Sequence, residues 1–78
     1  MNNERRKALR AIDAKLEELK DEIQAIRDEE DEAKSNLPDS LQDGDGGRAM
    51  GEAIDAMDEA ISSIEEAVSQ IGTACGDA

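Results

Sequence analysis

The chain has no phenylalanine, tyrosine, tryptophan or histidine, and only one cysteine and one proline in 78 residues. Without aromatic rings it offers no platform on which the bases of a single-stranded nucleic acid could stack. Without histidine a zinc site built on Cys and His is excluded, and a single cysteine closes no disulfide within the chain. Cys75 has neither a histidine nor another evident base to activate it, so it reads as a small apolar residue rather than a nucleophile. No enzymatic activity and no cofactor are expected. Long apolar runs are also missing. Nothing approaches the roughly 18 to 20 residues of a membrane span, and Met1-Asn2-Asn3-Glu4-Arg5-Arg6-Lys7 leads into no signal-peptide core. The expectation is a cytoplasmic protein that does not enter a membrane.

Positive charge is scarce. Nine Lys and Arg stand against twenty-one Asp and Glu, a net charge of −12. A surface of that sign repels phosphate backbones, which argues against direct nucleic-acid binding. The imbalance is also lopsided. Residues 1–27 carry seven basic and six acidic groups, whereas residues 28–78 carry two basic and fifteen acidic ones.

What the chain does have is two ladders of apolar residues stepping by three and four. The first is Leu9, Ile12, Leu16, Leu19, Ile23 and Ile26. The second is Met50, Ile54, Met57, Ile61, Ile64, Val68 and Ile71, ending at Cys75. Such heptads place one apolar seam on each of two helices, which predicts an all-α fold, an antiparallel two-helix coiled-coil hairpin. The expected single domain covers 1–78, with helix 1 at about 3–35, a loop at about 36–47 and helix 2 at about 48–72. Asn2 or Asn3 supplies the first cap. With a turn near residues 41 and 42, facing positions add up to about 83, which sets Ile26 against Met57, Leu19 against Ile64, Leu16 against Val68 and Ile12 against Ile71. Ala53, Ala60, Ala67 and Ala74 line the edge of the second seam, with Ala49 and Ala56 on its other side, and small residues admit a close neighbour. A lone hairpin of this size buries a thin core, so a homo-oligomer is expected, in the simplest case a dimer forming a four-helix bundle.

Between the ladders, Pro38 disfavours helical geometry at Leu37, and the glycines around Asp43 and Asp45 favour a break. One helical turn begun at Pro38 would fold Leu37 and Leu41 over the hairpin end. Asp39, Asp43 and Asp45 resemble a calcium loop only in composition. Counted from Asp43 the twelfth position is Ile54, where a bidentate Glu is required, and counted from Asp39 the third is Leu41. Turn chemistry accounts for these residues.

The candidate binding surface is acidic. Asp28, Glu29, Glu30, Asp31 and Glu32 form the densest charge run, and Glu52, Asp55, Asp58, Glu59, Glu65 and Glu66 follow on helix 2. Arg27 to Asp31 and Glu30 to Lys34 have the spacing of helical ion pairs. Glu30 falls in a seam position, where a partnership with Arg48 would fix register. Carboxylates along a rigid rod suit a basic protein partner and could imitate nucleic acid. They are equally what a coiled coil needs to stay in solution, so a structural oligomerisation module is the competing reading.

The run Asn36-Leu37-Pro38-Asp39-Ser40-Leu41-Gln42 between two acidic helices, followed by Met50-Gly51-Glu52-Ala53-Ile54, resembles small uncharacterised helical-hairpin proteins carried by prophages and mobile elements of gut Firmicutes. That resemblance brings no catalytic residues. It implies an accessory role in the cytoplasm of a bacterial host cell, inhibiting a host factor or a defence system.

Overall fold

A computed structural model of the chain describes residues 1–76; the last two positions of the domain expected over 1–78 lie outside the described residues. The described residues are helical, with no strand among them: α1 at Asn3–Ser35, a one-turn α2 at Asp39–Gln42, and α3 at Asp45–Ala74. The two long helices run antiparallel as a rod of 58 × 15 × 15 Å.

Local chemistry sets each boundary. Asn2 is extended, and its side-chain oxygen accepts the Arg5 amide at 2.8 Å, satisfying a free donor of the first turn. α1 closes before Pro38, where Leu37 still donates its amide to Lys34 but can go no further. Pro38 precedes α2, and its carbonyl accepts from Leu41 and Gln42. Leu37 is half-buried and Gln42 donates its side-chain amide to the Leu37 carbonyl at 3.0 Å. Leu41 points outward, 54% exposed, so the expected two-leucine lid is a lid of one.

α3 begins three residues before the expected position 48 and ends two after 72. Extended Gly44 starts it, and Asp45 places a negative charge in the first turn, where the helix dipole favours it. The pair Gly46-Gly47 is therefore helical. Gly47 is buried because α2 passes directly over it: a Cβ built there would lie 1.9 Å from the Gln42 carbonyl oxygen. The glycine that looks like a loop residue is the point where α2 docks on α3. At the far end Gly72 stays inside the helix, and Gly76, with φ of +83°, supplies the left-handed residue that terminates it.

The seam differs in roll from the expected one. On α1 the positions turned toward α3 are Leu9, Leu16, Ile23 and Glu30, continued past the helix end by Leu37, together with Arg6, Asp13, Lys20, Arg27 and Lys34. The second half of the ladder faces away: Ile12 is 46%, Leu19 49% and Ile26 57% exposed. On α3 the ladder stays inward, with Ile54, Ile61 and Cys75 buried and Met50, Met57, Ile64, Val68 and Ile71 half-buried.

The cause lies in the row that α3 presents. Lys34 lies over Gly51, with the lysine Cε 3.6 Å from where a Cβ would stand, and Arg27 pairs with Asp58 at 2.9 Å. Glu65 attracts Lys20. Each of these pairs adds up to 85, against the expected value of about 83. Gly51 leaves room for the Lys34 stem, Asp58 meets the Arg27 head and the charge of Glu65 draws Lys20, so α1 turns Lys20, Arg27 and Lys34 inward and Ile12, Leu19 and Ile26 out. The same register sets Asp13 across from Gly72. One Asp13 carboxylate oxygen is shielded from solvent without a hydrogen-bond partner.

Candidate functional site

The helical period now divides the hairpin into two unlike sides. One flank of the seam is polar, marked by the Arg27–Asp58 ion pair and by Lys20, which bonds Glu17 on its own helix and feels the charge of Glu65 across the seam. The other flank, reached by turning roughly 100° around α1, carries Ile12, Leu19 and Ile26. In antiparallel helices like positions flank the seam together, so the alanine row Ala53, Ala60, Ala67 and Ala74 shares this second side.

Arg27 organises the polar side. Its Nε donates to Asp58 at 2.9 Å, and its Nη1 lies 3.5 Å from Asp28 and 3.8 Å from Asp31. The hydrogen bond to Asp58 is the main cause of a guanidinium pKa raised above the ordinary arginine value, with Asp31 and Asp28 adding to it. Lys20 donates to Glu17 at 3.0 Å, and its pKa is likewise raised, first by that bond and then by the charges of Glu65 and Asp21. At the hairpin's open end Arg6 donates to the Cys75 carbonyl at 3.2 Å, placing a cation where the α3 dipole is negative.

These contacts sort the expected acidic residues. Asp28 and Asp31 are held by Arg27, and Asp28 also accepts from Gln24 at 2.9 Å. Asp58 is spent on the same arginine, and Glu65 neighbours Lys20. Glu30 is half-buried in line with Ile23 and Leu37. Among the described residues no ion pair joins it to Lys34 or to Arg48, which is exposed, so the expected Glu30–Arg48 lock is absent from the hairpin. Glu29, Glu32, Glu52, Asp55, Glu59 and Glu66 are exposed, and none of them is in an ion pair among the described residues. Glu52, Glu59 and Glu66 recur every seven residues on the outer edge of α3, about 10.5 Å apart. The acidic residues therefore do not form one continuous face. One set balances the seam, and a second set stands free.

Sequence reasoning missed the inward charged row Arg6, Asp13, Lys20, Arg27 and Lys34. Its signal was present: these residues also repeat every seven, and α3 answers with Gly51, Asp58, Glu65 and Gly72 at the same period. The surface has no cavity among the described residues, and no cluster of three or more of their Cys, Asp or Glu side chains is arranged to hold a metal ion. No described helix is long and apolar enough to cross a membrane. No protein-family model matches the chain, and comparison with curated proteins and with solved structures finds no match.

Proposed function

We propose that this chain is an acidic protein-binding rod, a homo-oligomer that engages a basic, nucleic-acid-binding surface of another protein in the cytoplasm and competes there with nucleic acid. The observation that carries this reading is the exposed carboxylate row Glu52, Glu59 and Glu66, with Asp55 beside it, on a 30-residue helix, in no ion pair among the described residues. A row of like charge that no cation among the described residues pairs with attracts cations from elsewhere and speeds encounter with them. Exposed chain chemistry of this kind supports binding rather than catalysis. The biological setting we propose is the one that the hairpin resemblance implies, an accessory factor of a phage or mobile element that restrains a host or defence protein.

The test is affinity capture from the source cell with the full chain and with a Glu52→Gln, Glu59→Gln, Glu66→Gln variant, each washed at low and high salt and in excess duplex DNA. A basic protein that the wild type retains, the variant releases, and both salt and DNA displace is the expected result. Capture that is indifferent to the three substitutions, to salt and to DNA would remove the acidic row from the function. In that case the exposed Ile12, Leu19 and Ile26 favour the second reading, a structural oligomerisation module.

A further inference from the structure

We infer that a second copy of this chain docks, antiparallel, on the side bearing Ile12, Leu19 and Ile26, with a two-fold axis at Leu19. This rests on the homo-oligomer proposed above and names its face, its orientation and its centre.

Area gives the first argument. The rod exposes 5595 Å², whereas a folded chain of 8.4 kDa is expected to expose about 4,600 Å². The surplus, roughly 1,000 Å², is close to the 800 Å² or so that each partner contributes to a stable interface. Ile12, Leu19 and Ile26, exposed at three successive heptad positions on one side of α1, mark where apolar surface stands open to a partner.

Charge gives the orientation. Residues 4–10 carry four basic groups and one acidic, a net of +3, and residues 28–34 carry five acidic and one basic, a net of −4. Stacking two copies with their loop ends together would set negative against negative. Reversing one copy sets each basic start of α1 against the acidic end of the other. Leu19 is the central residue of α1, with sixteen residues on either side, so an axis there overlaps the rods completely. Facing numbers then add up to about 38. Ile12 meets Ile26 of the second copy, and Leu19 meets its own counterpart. Lys15 lies across from Glu22 of the second copy, and Arg5 lies one turn from the second copy's Glu29. On the hairpin register Leu19 is level with the neighbourhood of Ala67. The same axis therefore brings α3 against α3 through Ala67, and Ala60 against Ala74 of the second copy. Large residues close one layer of the bundle and alanines the other.

The mass and the geometry are tested separately. Light scattering on the full chain is expected to give the mass of two chains. Leu19→Lys brings two like charges together at the axis and is expected to raise the dimer dissociation constant roughly 100-fold or more. Leu19→Cys in a Cys75→Ala background is expected to form a disulfide-linked dimer under mild oxidation, with its helical circular dichroism retained. A monomeric mass would overturn the inference together with the homo-oligomer it rests on, and any oligomer larger than two would overturn the inference alone. A two-chain mass in which Leu19→Cys does not cross-link would leave the dimer standing and overturn this face and orientation. Loss of carboxylate-dependent capture in a chain that still forms the cross-linked dimer would count against the acidic row alone.

Discussion

Neighbouring glycines in the first turns of α3 should respond to the same substitution with opposite sign. At Gly47 a Cβ would stand 1.9 Å from the Gln42 carbonyl oxygen and 2.6 Å from its carbon, and both are backbone atoms. Real contacts of this kind do not fall below about 3 Å, so α2 must retreat by more than an ångström or lose its seat on α3. Over-packing of this sort costs about 1–3 kcal/mol. The helical gain of alanine over glycine, about 0.5–1 kcal/mol, offsets only part of it. Gly47→Ala should therefore lose about 1–2 kcal/mol, which for a chain of this size lowers Tm by roughly 4–16 °C. At Gly46 nothing lies within 4 Å of the added carbon, so Gly46→Ala should gain about 0.5 kcal/mol, a rise of roughly 2–4 °C. Thermal unfolding followed by circular dichroism reads both variants, at one fixed protein concentration because association shifts Tm. If Gly47→Ala proved as stabilising as Gly46→Ala, α2 would not be packed on α3 and the seating of the loop would be wrong.

Further outcomes follow from the same contacts. Asp13→Ala removes a shielded carboxylate oxygen that has no partner, and should stabilise the chain by about 1 kcal/mol in urea unfolding; a loss would mean that the carboxylate is satisfied. Asn2→Ala deletes the 2.8 Å bond to the Arg5 amide and should cost about 1 kcal/mol, whereas Asn2→Asp should retain most of it. Lys20 has a raised pKa in the folded chain, so its contribution is complete below the ordinary lysine value and disappears as pH rises through the raised one. A Tm profile taken into that alkaline range should fall more steeply for the wild type than for Lys20→Met, and parallel curves would deny Lys20 that role.

Much of the hairpin was legible because heptad spacing is a strong signal: Leu9, Leu16 and Ile23 could only share a face, and Ile54, Ile61 and Val68 likewise. Asn2 and Pro38 marked the ends of α1 by chemistry that acts over a few residues. What periodicity could not resolve was the roll of α1. A seam built on Leu9, Leu16 and Ile23 can take either neighbouring row as its second half, and apolarity alone favours Ile12, Leu19 and Ile26. The choice is made by residues on the other helix, where Gly51 and Gly72 give space and Asp58 and Glu65 give charge. Such cross-helix complementarity is visible only once the register is known. Gly46 and Gly47 misled for a similar reason: glycine marks close approach as readily as a turn, and the approaching element is α2. The acidic surface was legible as composition but not as a site, because Arg27 withdraws Asp28, Asp31 and Asp58 from it while Glu52, Glu59 and Glu66 remain outside.

Both the open apolar side and the withdrawal of Asp28, Asp31 and Asp58 by Arg27 depend on that roll, so it is the quantity to measure. In a Cys75→Ala background, one variant carries Asp13→Cys with Gly72→Cys and another carries Ile12→Cys with Ile71→Cys. Each is oxidised at low concentration, and the intrachain disulfide is quantified by intact mass after alkylation of free thiols. With Arg27 and Lys20 turned toward α3, the first pair closes faster and more completely than the second. Faster closure of the second pair would return Ile12, Leu19 and Ile26 to the seam and contradict the two-sided hairpin.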